Sequence, residues 1–137
     1  MNVFGKLFGR KPQPIEDTVF GRIEFGLGGW TRLPKEESNG FIVIIVAPES
    51  GPTDCQRDFY KKLSLSLDET IADAKRLVQV SAADVDVGAL SLYSVEIGPD
   101  AELASDDFVI ELSDKDQNQI HVVNFVNGKP SVYGCDD

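Results

Sequence analysis

Positions 41–46 read Phe-Ile-Val-Ile-Ile-Val, apolar at every step. Successive side chains of a strand point to opposite faces. Such a run therefore belongs to a central strand covered on both sides, or to one that turns a bare face toward a partner. The rest of the chain has to be arranged around it. The run is far shorter than the roughly 20 residues of a spanning helix, and the N-terminus lacks an apolar region followed by a small-residue cleavage site. A cytoplasmic protein without a membrane partner is the expectation, with Cys55 and Cys135 as reduced thiols rather than a disulfide. A chain of 137 residues and 15.0 kDa supports one core, because a chain this size buries roughly two-thirds of the surface it exposes when unfolded.

Residues 1–14 read as an appendage. Phe4, Leu7 and Phe8 share a helical face, Lys6, Arg10 and Lys11 add charge, and Pro12 and Pro14 end the pattern. Two turns bury too little to anchor in lipid, so docking on protein is the better reading. Residues 15–137 form the domain. Val19, Ile23 and Phe25 alternate with Arg22 and Glu24, and Gly26, Gly28 and Gly29 turn the chain into a second short strand, residues 30–33. That glycine run is not a phosphate loop, since no helix and no Lys-Ser or Lys-Thr pair follows it. Thr53 or Asp54 caps a helix whose apolar positions Cys55, Phe59 and Leu63, then Leu67, Ile71, Ala74 and Val78, recur every three or four residues. Steps of four swing the stripe around a straight helix, and Ser66 with Glu69 has capping-box spacing. One helix broken near positions 64–66 is therefore predicted for residues 53–80.

The remainder predicts strands at 90–97, 108–112 and 120–126. Asn127-Gly128 is a two-residue hairpin turn, and Pro130 confines a short last strand, 131–133, to an edge. A turn centred on Asp116 sets Glu111 opposite His121 and Ile110 opposite Val122. Phe108, Ile110, Leu112, Ile120 and Val122 then look inward, and Val109, Glu111, His121, Val123 and Phe125 share the other face. That other face is unusually apolar for one left to solvent.

Charge is distributed unevenly. Residues 1–76 carry eleven acidic and eleven basic side chains, whereas residues 77–137 carry twelve acidic side chains against Lys115 and Lys129. The formal net charge of -10 lies in the second part. Such a field repels nucleic acid and draws cationic partners. Asp114, Asp116 and Asn118 imitate the start of a calcium loop, but Gln119 replaces its glycine and Phe125 its bidentate glutamate; a hairpin turn is the reading. Asp84 and Asp86 fail in the same way, with Val95 at the twelfth position. Cys55 at a helix start and His121 make a formal Cys-His pair, weighed against a core cysteine and a histidine paired with Glu111. One histidine and two distant cysteines lack zinc-finger spacing, so no metal and no cofactor are expected. Trp30, Phe20 and Phe25 are read as core rather than as a base-stacking platform.

The opening Asp17-Thr-Val-Phe20-Gly21-Arg-Ile23 with Trp30, the apolar strand ending near Pro48, a helix bearing Gln56 and Tyr60, and the Asn127-Gly128-Lys129-Pro130 turn resemble small bacterial proteins of unknown function. Some relatives of that type are similar to immunity proteins encoded beside polymorphic toxins. The resemblance implies a binding protein and brings no catalytic motif.

The expectation is an α+β domain: an antiparallel β-sheet of N-terminal hairpin, central strand and C-terminal meander, packed against one long broken helix. Its expected function is non-enzymatic protein binding, as an immunity-type inhibitor of a cationic toxin, through Asp100, Glu102, Asp106, Asp107, Glu111 and His121. A homodimer is the rival within that class. A small hydrolase or ligand-binding enzyme using His121 and nearby carboxylates is the alternative from another class.

Overall fold

The computed structural model describes residues 12–26, 28–34 and 40–136. Most of the expected appendage, including Phe4, Lys6, Leu7, Phe8, Arg10 and Lys11, lies outside them. The fold is α+β. Eight strands form one sheet in sequence order: β1 (Ile15–Asp17), β2 (Gly21–Gly26), β3 (Gly29–Arg32), β4 (Ile42–Ile45), β5 (Ser91–Ile97), β6 (Phe108–Ser113), β7 (Ile120–Val126) and β8 (Lys129–Asp136). Every neighbouring pair is antiparallel except β4 and β5, which run parallel. A parallel pair needs a long crossover, and here it is helical: α1 (Asp54–Leu65) and α2 (Leu67–Ser81). A short helix, α3 (Asp100–Leu103), follows β5.

Strand β1 is not evident in the alternation of the sequence. The Asp17 carboxylate accepts the backbone N–H groups of Val19 and Phe20, at 2.9 and 3.0 Å, and Gly21 takes φ +77°, so the chain reverses within four residues and pairs Asp17 with Gly21. In the next hairpin Gly26 lies opposite Gly29, where a Cβ would strike the carbonyl of Ile45. That close approach lets Trp30 align with Ile45. The indole is buried, and its Nε1–H donates to the Pro48 carbonyl at 2.8 Å.

The predicted helix break is present. Thr53 caps α1 with a full capping box: its hydroxyl accepts the Gln56 N–H, and the Gln56 side chain accepts the Thr53 N–H. At Ser66 the backbone leaves helical geometry and α2 restarts, but the expected Ser66–Glu69 box does not form, because the Ser66 hydroxyl turns back to the Leu63 carbonyl. Leu63, Ala74 and Val78 are buried, whereas Phe59 and Ile71 are half-buried. Cys55, expected on the stripe, is exposed, and the neighbouring Gln56 is buried instead.

The register of β6 and β7 differs from expectation by one residue. Ser113 pairs with Ile120, Leu112 with His121, Ile110 with Val123 and Phe108 with Phe125. The cause lies in the turn, where Gln117 adopts φ +56°, its N–H bonds to the Asp114 carbonyl, and six residues rather than seven separate the strands. A one-residue change exchanges the faces of a whole strand. His121, Val123 and Phe125 therefore look into the core, and Ile120 and Val122 look out. At the other end, Asn127 and Gly128 both take positive φ, as a two-residue hairpin requires, and β8 runs from Lys129 to Asp136 rather than over three residues.

The core lies between the helices and one face of the sheet. Trp30, Val43, Ile45, Val95, Ile97, Phe108, Ile110, Leu112, Val123 and Phe125 are buried there, with the Phe59 ring of α1 edge-on to Phe108. Strand β4 alternates: Val43 and Ile45 are buried, Ile42 and Ile44 half-buried. Among the described residues, the strand that is apolar on both sides is fully covered on only one.

Candidate functional site

The half-exposed sides of β4, β5, β6 and β7 fall into register. Across the strands one row reads Thr31, Ile44, Glu96, Val109, Asn124 and Val132, and the next reads Ile42, Ser94, Glu111 and Val122, with Ser94 itself buried among its half-exposed neighbours. Val132, on the last strand, is 56% exposed. The surface alternates apolar side chains with two carboxylates. Glu96 and Glu111 are diagonal neighbours on adjacent antiparallel strands, because Ser94 opposes Glu111 and Glu96 opposes Val109. A bulge at Tyr93 sets this register by skipping one residue between Leu92 and Ser94.

The two carboxylates are treated differently. The Ser94 hydroxyl donates to a Glu111 carboxylate oxygen at 2.5 Å. The Glu96 side chain has no hydrogen bond and no ion pair among the described residues, and its carboxyl is pushed above the ordinary value, first by burial and then by the negative charges of Glu111 and Glu102. No cation among the described residues pairs with either; Arg22, Arg57 and Arg76 are bonded to Glu16 and Glu24, to Asp17 and Asp54, and to Asp73. At the rim, past the ends of β4 and β5, an acidic cleft of about 530 Å³ is lined by Glu96, Glu102, Asp107 and Asn124 together with Val46 and Val109.

The expected site residues divide between places. Glu102 and Asp107 converge with Glu96 at this rim. Asp107 also accepts the Asn127 N–H at 3.0 Å, and the Asp106 carbonyl accepts the Gly128 N–H, so the acidic turn is bolted to the β7–β8 hairpin. Asp100 turns away and accepts the Thr53 hydroxyl at 2.6 Å. Glu111 joins the open face. His121 does not: its cross-strand partner is Leu112, its side chain is 1% exposed on the core side, and its Nδ1 shares a 2.8 Å hydrogen bond with the Tyr133 hydroxyl. The expected Glu111–His121 pair is thus split across the sheet.

The Cys-His reading loses its electrostatic basis. Asp100 beside Cys55, with smaller contributions from burial, Asp58 and Asp54, pushes the thiol above its ordinary value, against the pull of the helix N-terminus. The Asp114 carboxylate serves the turn by accepting the Asn118 N–H at 2.9 Å, and no group of three or more metal-ligating side chains converges among the described residues. No helix among the described residues is long and apolar enough to cross a membrane. Sequence reasoning missed Glu96, Ser94 and Asn124. The signal was present for Glu96, a lone carboxylate in a strand beside the apolar run, but its partner Glu111 could be found only with the correct register.

Comparison of the chain with protein-family models, with curated proteins and with solved structures found no match.

Proposed function

We propose that the chain is a protein-binding domain whose uncovered sheet face, with the acidic rim beside it, captures a cationic protein. The observation that carries this reading is the continuity of half-exposed Ile42, Ile44, Val109 and Val122 with the carboxylates Glu96 and Glu111, which pair with no cation among the described residues. Leaving apolar area open to water costs about 25 cal/mol per Å², and partly buried carboxylates without cations add a further penalty. A partner carrying positive charge on an apolar surface relieves both. Immunity-type inhibition of a cationic toxin is the specific form proposed, since carboxylates can occupy a site built for a polyanion and the field speeds encounter.

The test uses a partner recovered with the tagged chain at low salt and identified by mass spectrometry. Its association rate is measured with wild type and with a variant carrying Asp100→Asn, Glu102→Gln, Asp106→Asn and Asp107→Asn, at about 0.02 and 0.15 M salt. The wild-type rate should fall at least several-fold between the two salts, and the variant should be slower and less salt-sensitive. Equal rates in all four conditions would remove the electrostatic basis of the proposal.

A further inference from the structure

The open face carries two carboxylates of opposite condition within one apolar surround. Glu111 is held by Ser94, while the diagonal Glu96 accepts nothing from the described residues. Two like charges side by side on a half-buried surface are each other's penalty, and Glu102 at the rim adds to it. A bound metal would need more than this pair supplies: Glu102 and Asp107 line the same cleft as Glu96, but no three carboxylates among the described residues come close enough together to hold an ion. A second copy of the chain would bring the same carboxylates and another ten negative charges, and nucleic acid would be repelled by the same field. The complementary group is a cation with several donors and an apolar stem. Lysine offers a compact, strongly hydrated point charge. A guanidinium is planar, weakly hydrated and forked, so it can donate to two carboxylates at once while its methylenes lie on Ile44 and Val109.

We infer that Glu96 and Glu111 together seat one arginine side chain of the partner, presented from an otherwise apolar segment that lies across β4, β5 and β6. This rests on the binding reading above and narrows it to a residue. The seat lies between apolar Ile44, Val109 and Val122 on the face and the acidic cleft that Glu96 also lines; apolar side chains of the partner laid over the face would shield it from water. Ser94 contributes by fixing one carboxylate, so less side-chain freedom is lost on binding.

The experiment titrates the ¹⁵N-labelled full chain with a blocked peptide holding one arginine between valines, and with its lysine and citrulline counterparts. Amide shifts should centre on Ile44, Ser94, Glu96, Val109 and Glu111. Citrulline keeps the shape and loses the charge, and should bind at least fivefold more weakly, with lysine between the two. Glu96→Gln and Glu111→Gln should each weaken the arginine peptide about three- to tenfold while the dispersed spectrum of the folded chain persists. Affinity should also drop as pH falls toward the carboxylate range, where Glu96, faced by Glu111 and Glu102, takes up a proton. Shifts centred on the acidic turn, equal binding of the citrulline peptide, or no binding at millimolar concentration would overturn the arginine seat. A chain starting at Pro12 supplies the remaining control. Large shifts at Glu96 and Glu111 on removing residues 1–11, without peptide, would make the chain's own Lys6, Arg10 and Lys11 the occupant and also overturn it. If the peptide fails while the quadruple variant still slows the partner, the seat is wrong and the broader binding reading stands.

Discussion

Asp17 and Glu96 are both partly or fully buried carboxylates, and their surroundings drive them in opposite directions. Burial raises the Asp17 value, but Arg57, whose Nε–H donates at 2.9 Å, and the N–H groups of Phe20 and Val19 outweigh it, so the net shift is downward from 3.8. A depressed folded-state value means stability that is present above the unfolded value and is lost as pH falls through the folded one. Asp17→Asn should cost about 2–3 kcal/mol near pH 7, less than a fully buried pair because Arg57 is partly exposed and keeps Asp54. Urea titrations should show that difference shrinking below about pH 3.8; a constant difference across pH would mean that the charge is not what stabilises the turn. For Glu96 the sign reverses. Its raised value means that the folded state prefers the proton, so stability grows as pH falls toward 4.5, and Glu96→Gln should raise the neutral-pH melting temperature while changing little in acid. A substitution that stabilises the fold while weakening binding is the pattern expected of a residue kept for function. The Asp17 turn was not read from the sequence, because it rests on a carboxylate bonding backbone two and three residues on and on Gly21 at positive φ rather than on alternation; the strain at Glu96 was not legible either, because it depends on which side chains lie diagonal to it.

At the scale of elements, Gln56 joins what the topology leaves weakly joined. Strands β1 to β4 and β5 to β8 are each linked by antiparallel neighbours, and the two groups meet along the single parallel pairing of β4 with β5. Just past that pairing, the fully buried Gln56 side chain donates to the carbonyls of Val46 and Gly98, at 2.8 and 2.9 Å, while accepting the Thr53 N–H at 3.0 Å. Gln56→Ala strands two carbonyls and an N–H, and should cost about 3 kcal/mol in urea unfolding; a loss under about 1 kcal/mol would show that water replaces the amide without penalty. The helix start was readable because Thr53 has capping chemistry. That Gln56 faces inward was not, because apolar periodicity pointed to Cys55. The β6–β7 hairpin teaches a related lesson. Its strands were readable from alternation, but both candidate faces are apolar, so periodicity could not choose the register and a left-handed residue in the turn decided it. Gln117 holds that conformation without being glycine. Gln117→Gly should therefore stabilise the hairpin by about 0.5–1 kcal/mol, while a loss of stability would mean that the Gln117 side chain contributes to the turn.

For the whole molecule, the uneven charge of the sequence acquires a place in space. The acidic second part builds β5 to β8 and α3, so Glu96, Glu102, Asp107 and Glu111 gather on one face and its rim, while the ion pairs of the described residues involve Arg22, Arg57 and Arg76 elsewhere. The size of the field could be counted from composition. Its focus on the uncovered side of an apolar strand depends on pairing, on which composition is silent. One consequence concerns stability without any partner. Where attraction between surface ions dominates, added salt screens it and lowers the melting temperature; where self-repulsion dominates, added salt raises it. Diagonal neighbours such as Glu96 and Glu111 stand roughly 7–8 Å apart, inside the screening length of about 10 Å at 0.1 M, so the loss of longer-range repulsion among the acidic groups should appear between about 0.01 and 0.15 M sodium chloride. A rise of roughly 2–5 °C is expected, equivalent to somewhat under 1 kcal/mol in a chain of this size. The Glu96→Gln, Glu111→Gln double variant should start higher at low salt and rise less, because two of the repelling charges are gone. A melting temperature that falls with salt in the wild type would mean that the pairs at Asp17, Asp54 and Asp73 govern the electrostatics, and that the acidic face carries no net strain for a cationic partner to relieve.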